Sequence, residues 1–318
     1  MEQRQLGGSG LWVSRIALGT MTWGKDTEED EAADLLATFA DAGGTLIDTA
    51  DIYQGGQAER ILGRLLPTVV RRDDVIIATK AGHCLDRRRP GDTSRRHLLA
   101  ALEASLRRLQ TDHVDLWQLH VYDPATPVEE TLAAVESAVA SGKVRYVGVG
   151  QLAGWQLARY ATWQQAARPP GGSPVVSAGT EYSLLNRDCE RELLPAAANC
   201  GVSLLAWSPL GRGVLTGKYR TGVPQESRGA SAHMAPFVEP YLDERGRRVV
   251  ESVCTAAEGL GVSPLAVALS WVLGQPRVAA ACTGPRTVAQ LSEVLAAERV
   301  VLPREIRDAL NDASAVPG

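Results

Sequence analysis

Short apolar runs alternate with longer stretches in which apolar residues recur at helical spacing, and the alternation repeats along nearly the whole chain. The runs fall at Arg15–Leu18, Thr45–Ile47, Val75–Thr79, Val114–Leu119, Arg145–Val149, Val175–Ala178, Val202–Trp207 and Val278–Cys282. They are almost continuously apolar, as parallel strands covered by helices are. Helical patterns lie between them near residues 28–41, 57–66, 94–109, 128–141, 153–167 and 188–199. Others follow near 245–259, 264–273, 287–297 and 303–313, the last opening on Pro303, which suits a first helical turn. Eight such units in series predict an α/β fold of the closed (β/α)8 TIM-barrel type rather than a doubly wound sheet. Residues 2–12 carry a Gly-Gly-Ser-Gly turn and predict an N-terminal β-hairpin. Nothing resembling a linker interrupts the series, so residues 1–318 are expected to form a single barrel domain. The longest irregular stretch runs from Thr221 to Asp243 and is rich in Gly, Pro, Ser and Ala. A loop of that length inside a compact domain usually serves function.

Composition narrows the classes. A chain of 318 residues can bury a large core without disulfides or metals. A net charge of −4 gives no reason to expect nucleic acid or an anionic membrane as partner. No segment reads as a transmembrane helix, and the N-terminal residues lack the apolar core of a signal peptide. The five cysteines, Cys84, Cys189, Cys200, Cys254 and Cys282, are widely spaced without a CxxC pair, which fits reduced thiols in a cytoplasmic protein. The histidines form no HxH or HExxH pattern, so no metal site is expected.

Reactive groups of such a barrel gather at the C-terminal ends of its strands. Asp48 follows the second run, with Tyr53 in the loop beyond it; Lys80 follows the third and His120 the fourth. Alone, the aspartate reads as a helix cap, the lysine as a solvated charge, the histidine as structural and the tyrosine as packing. Together, on adjacent strands at one rim, they point to a site. A free tyrosine has a pKa of about 10, too high for an efficient acid near neutrality. A neighbouring ammonium is expected to lower it, an ionised Asp48 to hold that ammonium charged, and a neutral His120 to orient a carbonyl by hydrogen bonding.

At these residues the chain resembles the aldo-keto reductase family, and most of all its long-chain bacterial members, which also resemble potassium-channel β subunits. Leu46-Ile-Asp-Thr-Ala-Asp-Ile-Tyr53 resembles the family's Asp-Thr-Ala-x-x-Tyr signature, Ala78-Thr-Lys80 its lysine strand, and His113-Val-Asp-Leu-Trp-Gln-Leu-His120 its Asp-Leu-x-x-x-His strand. The likeness runs from Leu18-Gly-Thr-Met-Thr-Trp-Gly24, which includes Thr20 and Met21 of the expected cofactor site, to Thr283–Glu293. It implies a catalytic tetrad of Asp48, Tyr53, Lys80 and His120. It also implies NADPH bound extended across the barrel mouth, transfer of the pro-R hydride, and a small-molecule carbonyl substrate lined by Trp23 and Tyr122. Trp207-Ser-Pro-Leu-Gly-Arg-Gly-Val-Leu-Thr-Gly-Lys218 resembles a cofactor segment in which Trp207 stacks on the nicotinamide. Ser208, Leu210, Gly211 and Lys218 would then line the pyrophosphate side. Arg228 matches a cofactor-covering arginine. Gly284-Pro-Arg286, Gln290 and Glu293 match the 2′-phosphate and adenine site, where a guanidinium offers paired donors.

Three positions depart from the family pattern. Gly148-Val-Gly150-Gln151 stands where Gly-Val-Ser-Asn is usual, Gly179 where a glutamine is usual, and Val294 where an asparagine is usual. The first two remove the customary partners of the nicotinamide carboxamide; either Gln151 replaces them, or the nicotinamide is positioned more weakly and turnover is slower. Two other functions compete with carbonyl reduction. One is an NADPH-sensing regulatory subunit, against which His120 argues, because the channel subunits carry Asn there. The other is a lyase using Lys80 as a Schiff base, against which the pairing with Asp48 argues. The Arg87–Arg89 run reads as a solvated loop or as a contact for an anionic substrate. The sequence is compatible with a homo-oligomer.

Overall fold

The computed structural model describes residues 1–84, 91–167 and 173–315, so the Arg87–Arg89 run lies outside the described residues. The chain opens with an antiparallel hairpin, β1 (Gln3–Gln5) and β2 (Trp12–Ser14). Eight parallel strands then close into a barrel: β3 (Ile16–Gly19), β4 (Leu46–Asp48), β5 (Ile76–Ala81), β6 (Val114–Leu119), β7 (Val144–Gly150), β8 (Val175–Glu181), β9 (Ser203–Trp207) and β10 (Val278–Thr283). Pairing of β10 with β3 completes the ring. The expected (β/α)8 barrel and its hairpin are both present.

Side chains alternate between the two faces of each strand. One set points inward, where Leu46, Ala78, Leu116, Leu205 and Ala280 pack together. Leu6 and Val13 of the hairpin join that cluster and close the N-terminal end of the barrel. The other set, including Ile47, Ile77, Trp117, Val147 and Leu204, packs outward on the helices. Those helices are α1 (Glu29–Asp41), α2 (Gln57–Leu65), α3 (Arg95–Leu109), α4 (Val128–Ala140), α5 (Gly154–Ala167), α6 (Leu193–Cys200), α7 (Ala235–Val238), α8 (Glu244–Leu260), α9 (Pro264–Leu273), α10 (Val288–Ala297) and α11 (Arg304–Ala313). Ser94, Asp243, Ser263 and Thr287 cap α3, α8, α9 and α10 by accepting a first-turn N–H. Among the described residues no single helix is long and apolar enough to cross a membrane.

Several boundaries differ from the sequence pattern. β5 runs on through Lys80 to Ala81, and β8 through Gly179 to Glu181. The ladder is made by backbone groups and continues where the side chains turn polar to face the cleft. The pattern at 188–199 is two elements, a 3-10 turn at Asp188–Glu190 and then α6. Pro195 explains the break, since proline is tolerated only in a helix's first turn. The stretch from Thr221 to Asp243 holds α7 and short 3-10 turns rather than irregular chain alone.

Candidate active site

Because strand residues two apart share a face, Leu46 and Asp48, Ala78 and Lys80, and Leu116, Gln118 and His120 all point into the barrel. The lower member of each set is core and the upper member reaches a cleft of about 790 Å³ at the C-terminal end. Tyr53 enters the cleft from a turn in which Gln54, Gly55 and Gly56 all have positive φ. The structure thus brings Asp48, Tyr53, Lys80 and His120 to one wall.

Lys80 is the hub of this wall. Its ammonium donates to Asp48 Oδ2 at 2.7 Å, to the Thr49 carbonyl at 2.7 Å and to the Tyr53 hydroxyl at 3.3 Å. Burial opposes its charge, but Asp48 and Tyr53 more than offset this and raise its pKa, so Lys80 stays protonated. Such a lysine is a poor nucleophile, which weighs against Schiff-base chemistry. Burial and then the Lys80 charge push His120 down to about 3, so its ring is neutral at any working pH. Its Nδ1 is buried without a partner in the structure.

Tyr53 behaves differently from the sequence-based expectation. Burial raises its pKa, and Asp48 adds to that rise; Lys80 opposes both without overcoming them. The main reason is the full burial of the phenol, and Asp48, paired with the same ammonium, adds to it. The phenol therefore holds its proton securely, and Lys80 is placed where its charge would stabilise a phenolate.

The expected cofactor residues line the far side of the cleft. Trp207, Ser208, Leu210, Lys218, Arg228, Gly284, Arg286, Gln290 and Glu293 all face it, as do Met21 and Gln151. Two arginines strap the loop of residues 221–231 to the end of β10. Arg228 donates to the Gly284 carbonyl at 2.7 Å, and Arg286 donates to the Glu226 carbonyl. Lys218 is depressed by burial and by Arg228 and Arg286, with no carboxylate among the groups acting on it. Arg228 is depressed by burial and by Arg286. Exposed Lys218 and half-buried Arg228 and Arg286, none in an ion pair with a described carboxylate, are suited together to a multiply charged anion, and the Arg286 guanidinium can meet a phosphate through paired donors. These residues fit a nicotinamide dinucleotide.

Four expected contacts lie elsewhere. Trp23 is fully buried in the helix-facing core, so it forms no cleft wall. Its ring belongs to the same core cluster as Leu35, Leu36 and Ile61, with the indole Nε1 buried without a partner. Tyr122 packs edge-on to Trp155 and Tyr160, away from the cleft lining. Thr20 is fully buried and bonds the Asp48 carbonyl, while Gly211 is buried in the turn after β9. Conversely, Gln118, His83 and Cys282 line the cleft without having been singled out. The Gln118 amide donates to Asp48 Oδ1 at 3.4 Å and steadies the carboxylate from the side opposite Lys80. Gln118 and Cys282 were discoverable, since each lies two residues from another inward position of its strand.

Beside the site, Asp51 has one carboxylate oxygen buried without a partner. Burial and then Glu59 raise its pKa to about 7, against the pull of Arg108. The folded chain therefore holds a proton here that the unfolded chain, with an ordinary aspartate pKa of about 3.9, has released. This costs nothing below the unfolded value, and stability is lost as pH rises towards 7. Asp51→Asn is expected to raise the melting temperature clearly at about pH 8 and hardly at about pH 4. An equal shift at both pH values, read by thermal denaturation, would show that Asp51 is not protonated in the fold.

Comparison with known proteins agrees with this architecture. The aldo/keto reductase family model matches residues 15–314. An uncharacterized oxidoreductase of Bacillus subtilis (strain 168) is 38% identical over 100% of this chain and 97% of its own length. A probable voltage-gated potassium channel subunit beta of Oryza sativa subsp. japonica is 34% identical over 95% and 92%. The versiconal hemiacetal acetate reductase of Aspergillus parasiticus is 32% identical over 96% and 95%.

Proposed function

The chain belongs to the aldo/keto reductase family, and from that footing we propose that it reduces an aldehyde or ketone to an alcohol with NADPH, Tyr53 giving the proton. The observation that carries this reading is the single ammonium of Lys80 bonded at once to Asp48, Thr49 and the Tyr53 hydroxyl. When bound, NADPH supplies the pro-R hydride. Neutral His120 orients the substrate carbonyl oxygen towards the phenol by hydrogen bonding. Tyr53 donates its proton to that oxygen, and Lys80 stabilises the resulting phenolate. Asp48, gripped by Lys80 and Gln118, keeps the lysine charged and in register. Trp207, Lys218, Arg228 and Arg286 are the residues proposed to hold the dinucleotide. The likeness to a protein named as a reductase supports the same direction of chemistry. None of the described cysteines forms a disulfide, which suits the cytoplasmic setting proposed for the protein.

The uncompensated cations favour the phosphorylated cofactor. NADPH is expected to bind more tightly than NADH in a fluorescence titration. Arg286→Ala should weaken NADPH about 10- to 100-fold while leaving NADH nearly unchanged, as loss of a charged hydrogen-bonding group does. Gln151 lines the cleft beside Gly150 and Gly179, whose bare backbones leave room there. We assign it to the nicotinamide carboxamide, so Gln151→Ala should weaken both cofactors alike. Equal affinity for NADH and NADPH in the native chain would contradict the NADPH assignment. The likeness to a channel β subunit supports a second reading, an NADPH-sensing regulatory subunit with little turnover. A carbonyl panel that leaves tightly bound NADPH unconsumed would favour it.

A further inference from the structure

On the flank of the barrel, away from the cleft, α2 and α3 enclose a surface groove of about 490 Å³ lined by Arg60, Arg64, Ala104, Arg107, Arg108 and Gln110. Four of the six lining residues are arginines and none is acidic, in a chain whose net charge is −4. The helices come this close because Gly63 has no side chain: a Cβ there would lie 2.3 Å from the Arg108 carbonyl oxygen.

The four guanidinium groups are of two kinds. Arg108 is fixed from behind, donating to fully buried Glu59 at 2.6 Å and to Ser105 at 3.1 Å. Arg64 is fixed by a two-point pair with Glu29 at 2.8 and 2.6 Å. Arg60 and Arg107 are exposed and form no ion pair with any described residue. Arg60 donates only to the Gly55 carbonyl and to Gln57. It also stands one helical turn from Arg64, an i,i+4 like-charge pair that weakens an isolated helix, and in the first turn of α2, where the helix dipole opposes a cation. Arg107 and Arg108 stand in the last turn of α3, where the dipole favours a cation, so local helix physics accounts for that pair and leaves Arg60 unexplained, whereas a ligand would account for it. Two guanidinium groups stand pre-organised and two are outside any ion pair with a described residue, and the space suits a small molecule. Guanidinium forks match the paired oxygens of phosphate.

We propose that this groove binds a compact, multiply phosphorylated small molecule, held by Arg60 and Arg107 against the fixed wall of Arg64 and Arg108. The site is separate from the reductase cleft and does not depend on the reading given to it.

Inorganic tripolyphosphate is the probe, followed by isothermal titration calorimetry at low salt. The experiment uses the native chain, an Arg60→Ala, Arg107→Ala double variant, and Arg286→Ala to report on the cationic cleft. The double variant removes only exposed groups outside any ion pair, and a melting temperature no lower than the native one verifies its fold. Saturable binding that weakens about tenfold or more in the double variant and persists in Arg286→Ala is the expected result. The proposal is overturned if the native chain shows no saturable binding. It is equally overturned if Arg286→Ala abolishes binding that the double variant retains, because the anion then occupies the cleft.

Discussion

Tyr53→Phe is expected to turn over a carbonyl substrate with NADPH about 10²- to 10⁴-fold more slowly than the native chain, the range a positioned general acid contributes. The fold and the cofactor site should be unaffected. The ring stays in place, and Lys80 keeps its two shortest bonds, to Asp48 and to the Thr49 carbonyl. No neighbour can supply the missing proton. His120, held down to about 3, carries none to spare near neutrality. Burial pushes the Cys282 thiol up, then Asp48 pushes it further, so it releases its proton reluctantly. The loss should therefore appear in kcat, with the Kd for NADPH unchanged. A variant that keeps more than about a tenth of the native kcat would remove Tyr53 from the role of donor.

Lys80→Met is expected to lower both stability and turnover. Asp48 and Lys80 are each almost fully buried, and their side chains meet at 2.7 Å. Removing one partner of such a pair leaves an uncompensated carboxylate and typically costs about 3–5 kcal/mol. Asp48 retains only the weak amide contact from Gln118 at 3.4 Å. Turnover should fall about 10²- to 10³-fold, the usual loss when one electrostatic stabiliser of a developing negative charge is removed. The two effects separate in a double variant. Adding Asp48→Asn to Lys80→Met removes the orphaned charge, so stability measured by denaturant unfolding should recover in large part while activity does not. Recovery of both would mean that Lys80 serves the fold alone.

The barrel was legible because its strands are covered on both faces and read as apolar runs. The four catalytic candidates were legible because each is a polar residue placed at the end of such a run or in the loop beyond, where a core strand has no use for it. What escaped notice depended on which face a side chain takes or on how distant segments meet. Trp23 lies in a loop from which, by sequence, an aromatic ring can pack inward or line a rim with equal ease, and the fold buries it. Gln118 was hidden inside an apolar run although the two-residue period linking it to His120 marks it as inward. His83 follows β5 in a segment with no periodicity to orient it. The direction of the Tyr53 shift required the balance of burial, Lys80 and Asp48, which motif order alone does not contain. The arginine groove joins α2 to α3 across more than forty residues, and the absent side chain of Gly63 that permits it looks like any helical glycine.

The most direct test of the central claim follows a hydrogen atom. The native chain and Tyr53→Phe are each given NADPH deuterated at the pro-R position of the nicotinamide, together with an aldehyde they can bind, and the alcohol is analysed by mass spectrometry. One deuterium on the carbinol carbon of the native product, with formation of that product nearly abolished in the variant, is the expected result. Tight binding of the cofactor with no deuterium transferred to any aldehyde or ketone would contradict the assignment of this site as a reductase.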